Sequence, residues 1–202
     1  MMLKHARRFF SAVFTPIARF LLRIGLTPNA VTVLGTLGVS LGALVFYPLG
    51  QLFWGTVVIT LFVFSDLIDG LMARLADQRS VLGGFLDSIS DRVQDCAVFL
   101  GLMLWFFGPG DDYWIGVSAA VCMILGLLVS YVRARAESEG FDANTGIAER
   151  PERMVLTLVF TGFVGLGMPQ SVLLVVLALL ATGSLITVVQ RIITVVRQAT
   201  RN

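Results

Sequence analysis

Six mostly apolar stretches, roughly 29–48, 52–75, 81–107, 113–135, 153–168 and 171–196, fill nearly all of this 202-residue chain. Runs of about 17–25 apolar residues are what an α-helix needs to cross a bilayer. Inside lipid, only structures that satisfy their own backbone hydrogen bonds survive. The sequence therefore predicts an all-α membrane protein with six transmembrane helices. Composition agrees: charged residues make up only 14% of the chain, against about 25% in soluble domains. The connections are turns such as Tyr47-Pro48-Leu49-Gly50, Gly108-Pro109-Gly110 and Gly167-Met168-Pro169, plus one longer polar loop at about 136–152. No soluble domain of ordinary size fits in what is left.

The first segment differs. Over residues 3–25, Phe9, Phe10, Val13, Ile17, Phe20, Leu21 and Ile24 recur at helical spacing, while Lys4, Arg7, Arg8, Arg19 and Arg23 fill the other face. This predicts an amphipathic helix lying on the membrane, with Pro16 kinking or dividing it. The domain plan is thus a juxtamembrane helix at 1–28 followed by a six-span domain at 29–202. The same cations interrupt any signal-peptide core, so a cleavable leader is not expected; alternatively, they serve only to set topology. Lysines and arginines gather in or next to the N-terminal segment, the 76–80 turn, the 136–152 loop and the C-terminus. The opposite turns carry none, and one of them carries Asp111 and Asp112. Basic loops favour the cytoplasm, so a multi-pass protein of the cell membrane with both termini cytoplasmic is expected.

Two cysteines, Cys96 and Cys122, lie in apolar stretches, and the one histidine, His5, lies in the basic segment. No His/Cys zinc spacing exists, so any metal would need oxygen ligands. Carboxylates supply them. Asp66 and Asp69 stand i, i+3 in the second stretch, and Asp87 and Asp91 stand i, i+4 in the third, so each pair projects from one helix face. With Gln78 as the centre of the turn, Asp69 and Asp87 each lie nine residues away, and Asp66 and Asp91 twelve and thirteen. At 1.5 Å per residue the pairs sit at matching depths, about 14 and 18–20 Å along the two helices. The four carboxylates are expected to meet in one cluster between antiparallel helices.

Ionisable groups inside a span are costly and point to function. One or two divalent cations would relieve the repulsion among four carboxylates, and an all-oxygen site suits Mg²⁺ or Mn²⁺ clamping a phosphate. Buried ion pairs with Arg74 and Arg92 are the purely structural reading, but two cations cannot offset four acids in hydrocarbon. Gly70 and Ala73 continue the Asp66/Asp69 stripe, and Gly83 lies one turn before Asp87. Small residues here either bring helices close together or leave space for a flat ligand.

Residues 66–91 read Asp66-x2-Asp69-Gly70-x2-Ala73-Arg74-x8-Gly83-x3-Asp87-x3-Asp91. This resembles the full signature of the CDP-alcohol phosphotransferases, and the six-span plan resembles that family along the whole chain. The resemblance implies that Asp66, Asp69 and Asp87 ligate a pair of metal ions. Asp91 would be a further ligand and the general base. Gly70, Ala73, Arg74 and Gly83 would shape the CDP site, with Arg74 near the diphosphate. It also implies attack of an acceptor hydroxyl on the β-phosphorus of a CDP-linked lipid with loss of CMP, a cytoplasmic active site, and a homodimer. No nucleic-acid partner is expected.

Two further stretches resemble the actinobacterial phosphatidylinositol phosphate synthase branch. One is Leu22-Arg23-Ile24-Gly25-Leu26-Thr27-Pro28-Asn29 running into Val31-Thr32. The other is Ser130-Tyr131-Val132-Arg133-Ala134-Arg135-Ala136-Glu137 followed by Glu149-Arg150-Pro151-Glu152-Arg153. That likeness adds Pro28 and Thr32 to the CDP site. It implies CDP-diacylglycerol as donor and inositol 1-phosphate as acceptor, with Ser130, Arg133, Arg153 and Arg191 holding the acceptor phosphate. Read from charge alone, the arginines either converge on a phosphate or anchor helices at anionic lipid heads. Two rivals stay open. Phosphatidylglycerophosphate synthase chemistry, with glycerol 3-phosphate, suits the same arginines. A divalent-cation transporter would use the aspartates as a transport site, but neither broken helices nor inverted repeats show in the sequence.

Overall fold

A computed structural model describes residues 2–77 and 80–200, the side chains of residues 2–12 lying outside the description. Every regular element among the described residues is helical. In order they are α1 (Met2–Arg23), α2 (Pro28–Leu41), a π-helical turn (Gly42–Phe46), α3 (Leu52–Val63), α4 (Ser65–Leu75), α5 (Val81–Phe106), α6 (Tyr113–Ser138), α7 (Arg150–Gly165) and α8 (Gln170–Ala199). Among the described residues four helical stretches, Pro28–Phe46, Leu52–Leu75, Tyr113–Ser138 and Gln170–Ala199, are long and apolar enough to cross a membrane. The chain is a multi-pass membrane protein.

The other two expected spans differ from these four for physical reasons. Helix α5 has the length, 26 residues, but it carries Asp87, Asp91, Arg92 and Asp95. Helix α7 has 16 residues, about 24 Å at 1.5 Å per residue, against a hydrocarbon core of about 30 Å. Gln78, the centre of the turn between the aspartate pairs, and Arg79 beside it lie outside the described residues.

The chain forms two compact units, Met1–Gly42 with Val58–Gln94, and Ala43–Val57 with Asp95–Asn202. In the first unit α4 packs against both α1 and α2. Ala18, Val31 and Met72 are its buried core, with Leu21, Leu22, Leu26, Ile68 and Leu71 packed around them. Phe14 stacks on Phe64 with ring centroids 5.6 Å apart. Helix α1 runs through Pro16 undivided. Val13, Ile17, Phe20 and Ile24 stay exposed while Ala18, Leu21 and Leu22 are covered, so α1 has one face on protein and a separate apolar stripe facing outward. It ends at Gly25, whose φ of +86° is the left-handed conformation that glycine adopts without steric cost. The amides of Gly25 and Leu26 close back on the Leu22 and Leu21 carbonyls at 3.1 Å each. Thr27 then caps α2 by accepting a hydrogen bond from the Ala30 amide at 3.2 Å, with Pro28 in the first turn.

The Asp66/Asp69 segment is not the continuous helix that its apolar pattern implies. It is divided at Phe64 into α3 and α4. The Leu67 and Ile68 amides both bond the Phe64 carbonyl, at 3.1 and 3.3 Å. The cause is close packing. A Cβ at Gly35 on α2 would stand 1.7 Å from Ser65 Oγ, so α2 presses its backbone against the first residue of α4. The absence of a broken helix therefore no longer counts against transport; the site's chemistry has to decide.

In the second unit α6 and α7 both pack on α8. Cys122 Sγ donates to the Leu177 carbonyl at 3.2 Å. The polar loop is fastened to α8 at two levels. Thr187 Oγ1 accepts from the Ile147 and Ala148 amides at 3.2 Å each, and Gln198 bonds the Asp142 amide and carbonyl at 3.0 and 2.6 Å.

Candidate active site

Three helices of the first unit enclose a cavity of about 420 Å³. Helix α2 contributes Pro28, Asn29 and Thr32 from its first turns, and α4 contributes Asp66, Asp69, Gly70, Ala73 and Arg74 from one face. The third wall is the start of α5, Gly83, Gly84 and Asp87, with Ser80 just before it. All nine residues expected at a CDP site line this one cavity. Local rules explain why they gather. The i, i+3, i+4 and i+7 spacing puts Asp66, Asp69, Gly70 and Ala73 on one side of α4. Ser80 Oγ accepts the Gly83 amide at 2.9 Å, an N-cap that starts α5 at the cavity wall. Gly70 faces open space, with nothing within 4 Å of where a Cβ would stand, so the cavity reaches the α4 backbone there.

Asp69 is buried, and its Oδ2 accepts from Thr32 Oγ1 at 2.5 Å. The same hydroxyl lies 3.2 Å from the Pro28 carbonyl. Asp66 Oδ1 accepts from Gln94 Nε2 at 3.3 Å, and that amide also reaches Thr36 Oγ1 at 3.4 Å. Asp69 feels the negative charge of both Asp66 and Asp87. Three mutually repelling carboxylates on one cavity, all hard oxygen donors, fit a divalent cation such as Mg²⁺ or Mn²⁺. Among the described residues no group of three or more His, Cys, Asp or Glu stands in a ligating arrangement. What the three aspartates share is a cavity wall.

Asp91 is not in that wall. It lies one turn further along α5, about 6 Å at 1.5 Å per residue, and pairs with Arg92 Nη1 at 3.4 Å. Arg92 Nη1 also donates to the Ser88 carbonyl at 2.8 Å. The expected four-carboxylate cluster is therefore three at the cavity and one beyond it. Sequence reasoning missed Ser80, Gly84 and Gln94 and gave Asn29 no role. Gln94 carried a usable signal, an amide in an apolar stretch seven residues, two helical turns, after Asp87.

The expected acceptor residues lie in the second unit. Arg191, 2% exposed, donates from Nε to the Thr145 carbonyl at 2.7 Å and from Nη1 to the Val129 carbonyl at 2.6 Å. Its Nη2 donates to Glu149 Oε1 at 3.2 Å. Ser130 follows Val129 directly on α6, so Arg191 reaches the turn that carries it. Arg133 pairs with Glu137 at 2.8 Å and lies within electrostatic range of Arg191. Arg153, 1% exposed, donates from Nη2 to Asp95 Oδ2 at 2.5 Å, and Arg150 Nε donates to Asp95 Oδ1 at 3.0 Å. Arg135 is elsewhere, in an exposed i, i+4 pair with Glu139.

The chain belongs to the CDP-alcohol phosphatidyltransferase family, whose model matches residues 25–200. It is similar to the phosphatidylinositol phosphate synthase of Streptomyces avermitilis, 51% identical over 98% of this chain and 84% of that one. The synthase of Cutibacterium acnes is 41% identical over 97% and 98% of the two chains. Among solved structures, Mycobacterium tuberculosis phosphatidylinositol phosphate synthase with CDP-DAG bound superposes with a TM-score of 0.87 at 41% identity, covering 91% of this chain and 94% of that one. The same enzyme in complex with manganese and citrate gives 0.86, covering 90% and 88%.

Proposed function

We propose that this chain transfers a phosphatidyl group from CDP-diacylglycerol to inositol 1-phosphate, releasing CMP and forming phosphatidylinositol phosphate. The observation that carries the reading is the cavity itself, where three carboxylates, an arginine and an open glycine backbone face one space. Relatives named phosphatidylinositol phosphate synthase supply the acceptor. Asp66, Asp69 and Asp87 hold a pair of Mg²⁺ or Mn²⁺ ions, which when bound neutralise the donor diphosphate and the charge that develops on it. Arg74 adds a cation at the same wall. Gly70 and Gly83 leave room for the nucleotide against the helix backbones. Thr32 fixes the Asp69 carboxylate through its hydrogen bond. Asp91 takes the proton of the attacking hydroxyl. Such a transfer asks for positioning and charge neutralisation more than for a protein nucleophile.

The acceptor phosphate is held by Ser130, Arg133, Arg153 and Arg191. A charged hydrogen bond to a phosphate contributes on the order of 1.5–3 kcal/mol, and free inositol forgoes that contribution. CMP release by purified enzyme with CDP-diacylglycerol tests this. Inositol 1-phosphate should support turnover and free inositol should not. A higher kcat/KM with glycerol 3-phosphate would replace the acceptor, and equal turnover with free inositol would remove the phosphate pocket.

In the membrane the protein spans six times, as a homodimer, with the cavity open to the cytoplasm. The distribution of cations supports this orientation. Reporters fused after residue 202 and inserted in the 136–152 loop should both read cytoplasmic, and one at Asp111 should read external. A cytoplasmic signal at Asp111 would show that the span count is wrong.

A further inference from the structure

The second unit contains a buried arginine whose donors are not all satisfied. Asp95, buried on α5, receives hydrogen bonds from both Arg150 and Arg153 of α7's first turn, at 3.0 and 2.5 Å. Arg153 is 1% exposed, yet its Nε and Nη1 atoms are buried without a hydrogen-bond partner. Buried donors are nearly always satisfied. An anion would satisfy both nitrogens.

The orientation of that guanidinium is over-determined. A Cβ on Gly126 of α6 would stand 2.8 Å from Arg153 Cζ and 2.9 Å from its Nε, so the group lies flat on the α6 backbone. Asp95 then fixes its in-plane direction by capturing Nη2. What remains directed away from the carboxylate is the unpartnered pair of nitrogens.

We propose that Asp95 is a positioning residue for the acceptor. It locks Arg153, with Arg150 beside it, so that Arg153 offers its unpartnered nitrogens to a phosphomonoester. The inference rests on the acceptor-phosphate reading above. Asp95 touches neither substrate nor metal and acts through the arginine. Without the carboxylate the guanidinium loses its fixed direction, and acceptor binding weakens while the donor cavity is untouched.

The test uses purified full-length enzyme, with CMP release measured against each substrate in turn and thermal stability followed in parallel. Wild-type turnover with inositol 1-phosphate and with glycerol 3-phosphate is measured first, since failure of both would remove the acceptor reading independently of Asp95. Whichever phosphorylated acceptor the wild type uses is then compared across variants. Asp95→Asn is expected to raise acceptor KM about tenfold, with donor KM and kcat within about twofold, and Asp95→Glu to recover at least half of the loss on a logarithmic scale. Unchanged acceptor KM in Asp95→Asn overturns the proposal. So does a matched fall in kcat for both substrates with lost thermal stability, which marks a structural strut. If Asp95→Asn does not fold, Asp95→Glu alone decides: a selective rise in acceptor KM of twofold or more supports positioning, and no rise refutes it. Failure of both variants to fold assigns Asp95 to the fold and overturns the proposal.

Discussion

Asp69→Asn is expected to cut turnover by on the order of 10³-fold or more, with little loss of stability. Asparagine has nearly the shape of aspartate, and its amide oxygen still accepts the hydrogen bond from Thr32 Oγ1 that now measures 2.5 Å. Removing the charge also relieves repulsion from Asp66 and Asp87, so the folded state has no electrostatic reason to suffer. The reaction does. On the proposed mechanism a metal ligand would be lost, and metal-ion stabilisation of transition-state charge is worth several kcal/mol. Each 1.36 kcal/mol is a factor of ten, so about 4 kcal/mol gives the stated loss. CMP release at saturating CDP-diacylglycerol and Mn²⁺, set beside a melting curve, checks both halves. Turnover within tenfold of wild type would mean that Asp69 is not a metal ligand.

Arg191→Met should act in the opposite sense, through stability first. The guanidinium is almost fully buried and braces three places at once: the Thr145 carbonyl in the polar loop, the Val129 carbonyl on α6 and Glu149 at the start of α7. Methionine fills much of the volume but leaves two carbonyls and a carboxylate without their donor. Hydrogen bonds from a charged group contribute on the order of 1.5–3 kcal/mol each, so losing those to the two carbonyls, with Glu149 itself partly solvated, corresponds for a chain of this size to a melting shift of roughly 10 °C. Acceptor KM should rise as well, because the brace sets the turn carrying Ser130. A variant melting within 2 °C of wild type, measured in the same detergent, would show that these bonds are not holding the loop.

The sequence showed the aspartate cavity better than the arginine cluster of the second unit, for a physical reason. A carboxylate in an apolar stretch stands out in one dimension, and helical periodicity then places its neighbours, so Asp66, Asp69, Gly70, Ala73 and Arg74 could be assigned to one face before any packing was known. Hairpin arithmetic fixed depth along the helices but not how far the cavity extends. That is why Asp91, one turn beyond Asp87, was expected at the wall and lies outside it. Tertiary packing produced what periodicity could not. The break at Phe64 follows from Gly35 pressing against Ser65, a contact between segments thirty residues apart. Asp95 was passed over because its partners Arg150 and Arg153 lie more than fifty residues away. Arginine is so common at membrane boundaries that its sequence position alone does not separate a buried brace such as Arg191 from a surface anchor.

The most direct test of the central claim is whether the three cavity aspartates bind the ion. Mn²⁺ titrated into purified protein can be followed by electron paramagnetic resonance, since the free aquo ion gives a strong signal that binding suppresses. Wild-type protein is expected to suppress it saturably. The variant carrying Asp66→Asn, Asp69→Asn and Asp87→Asn together, folded by its melting curve, should leave the free-ion signal intact over the same range. Equal Mn²⁺ binding by both proteins would contradict the account.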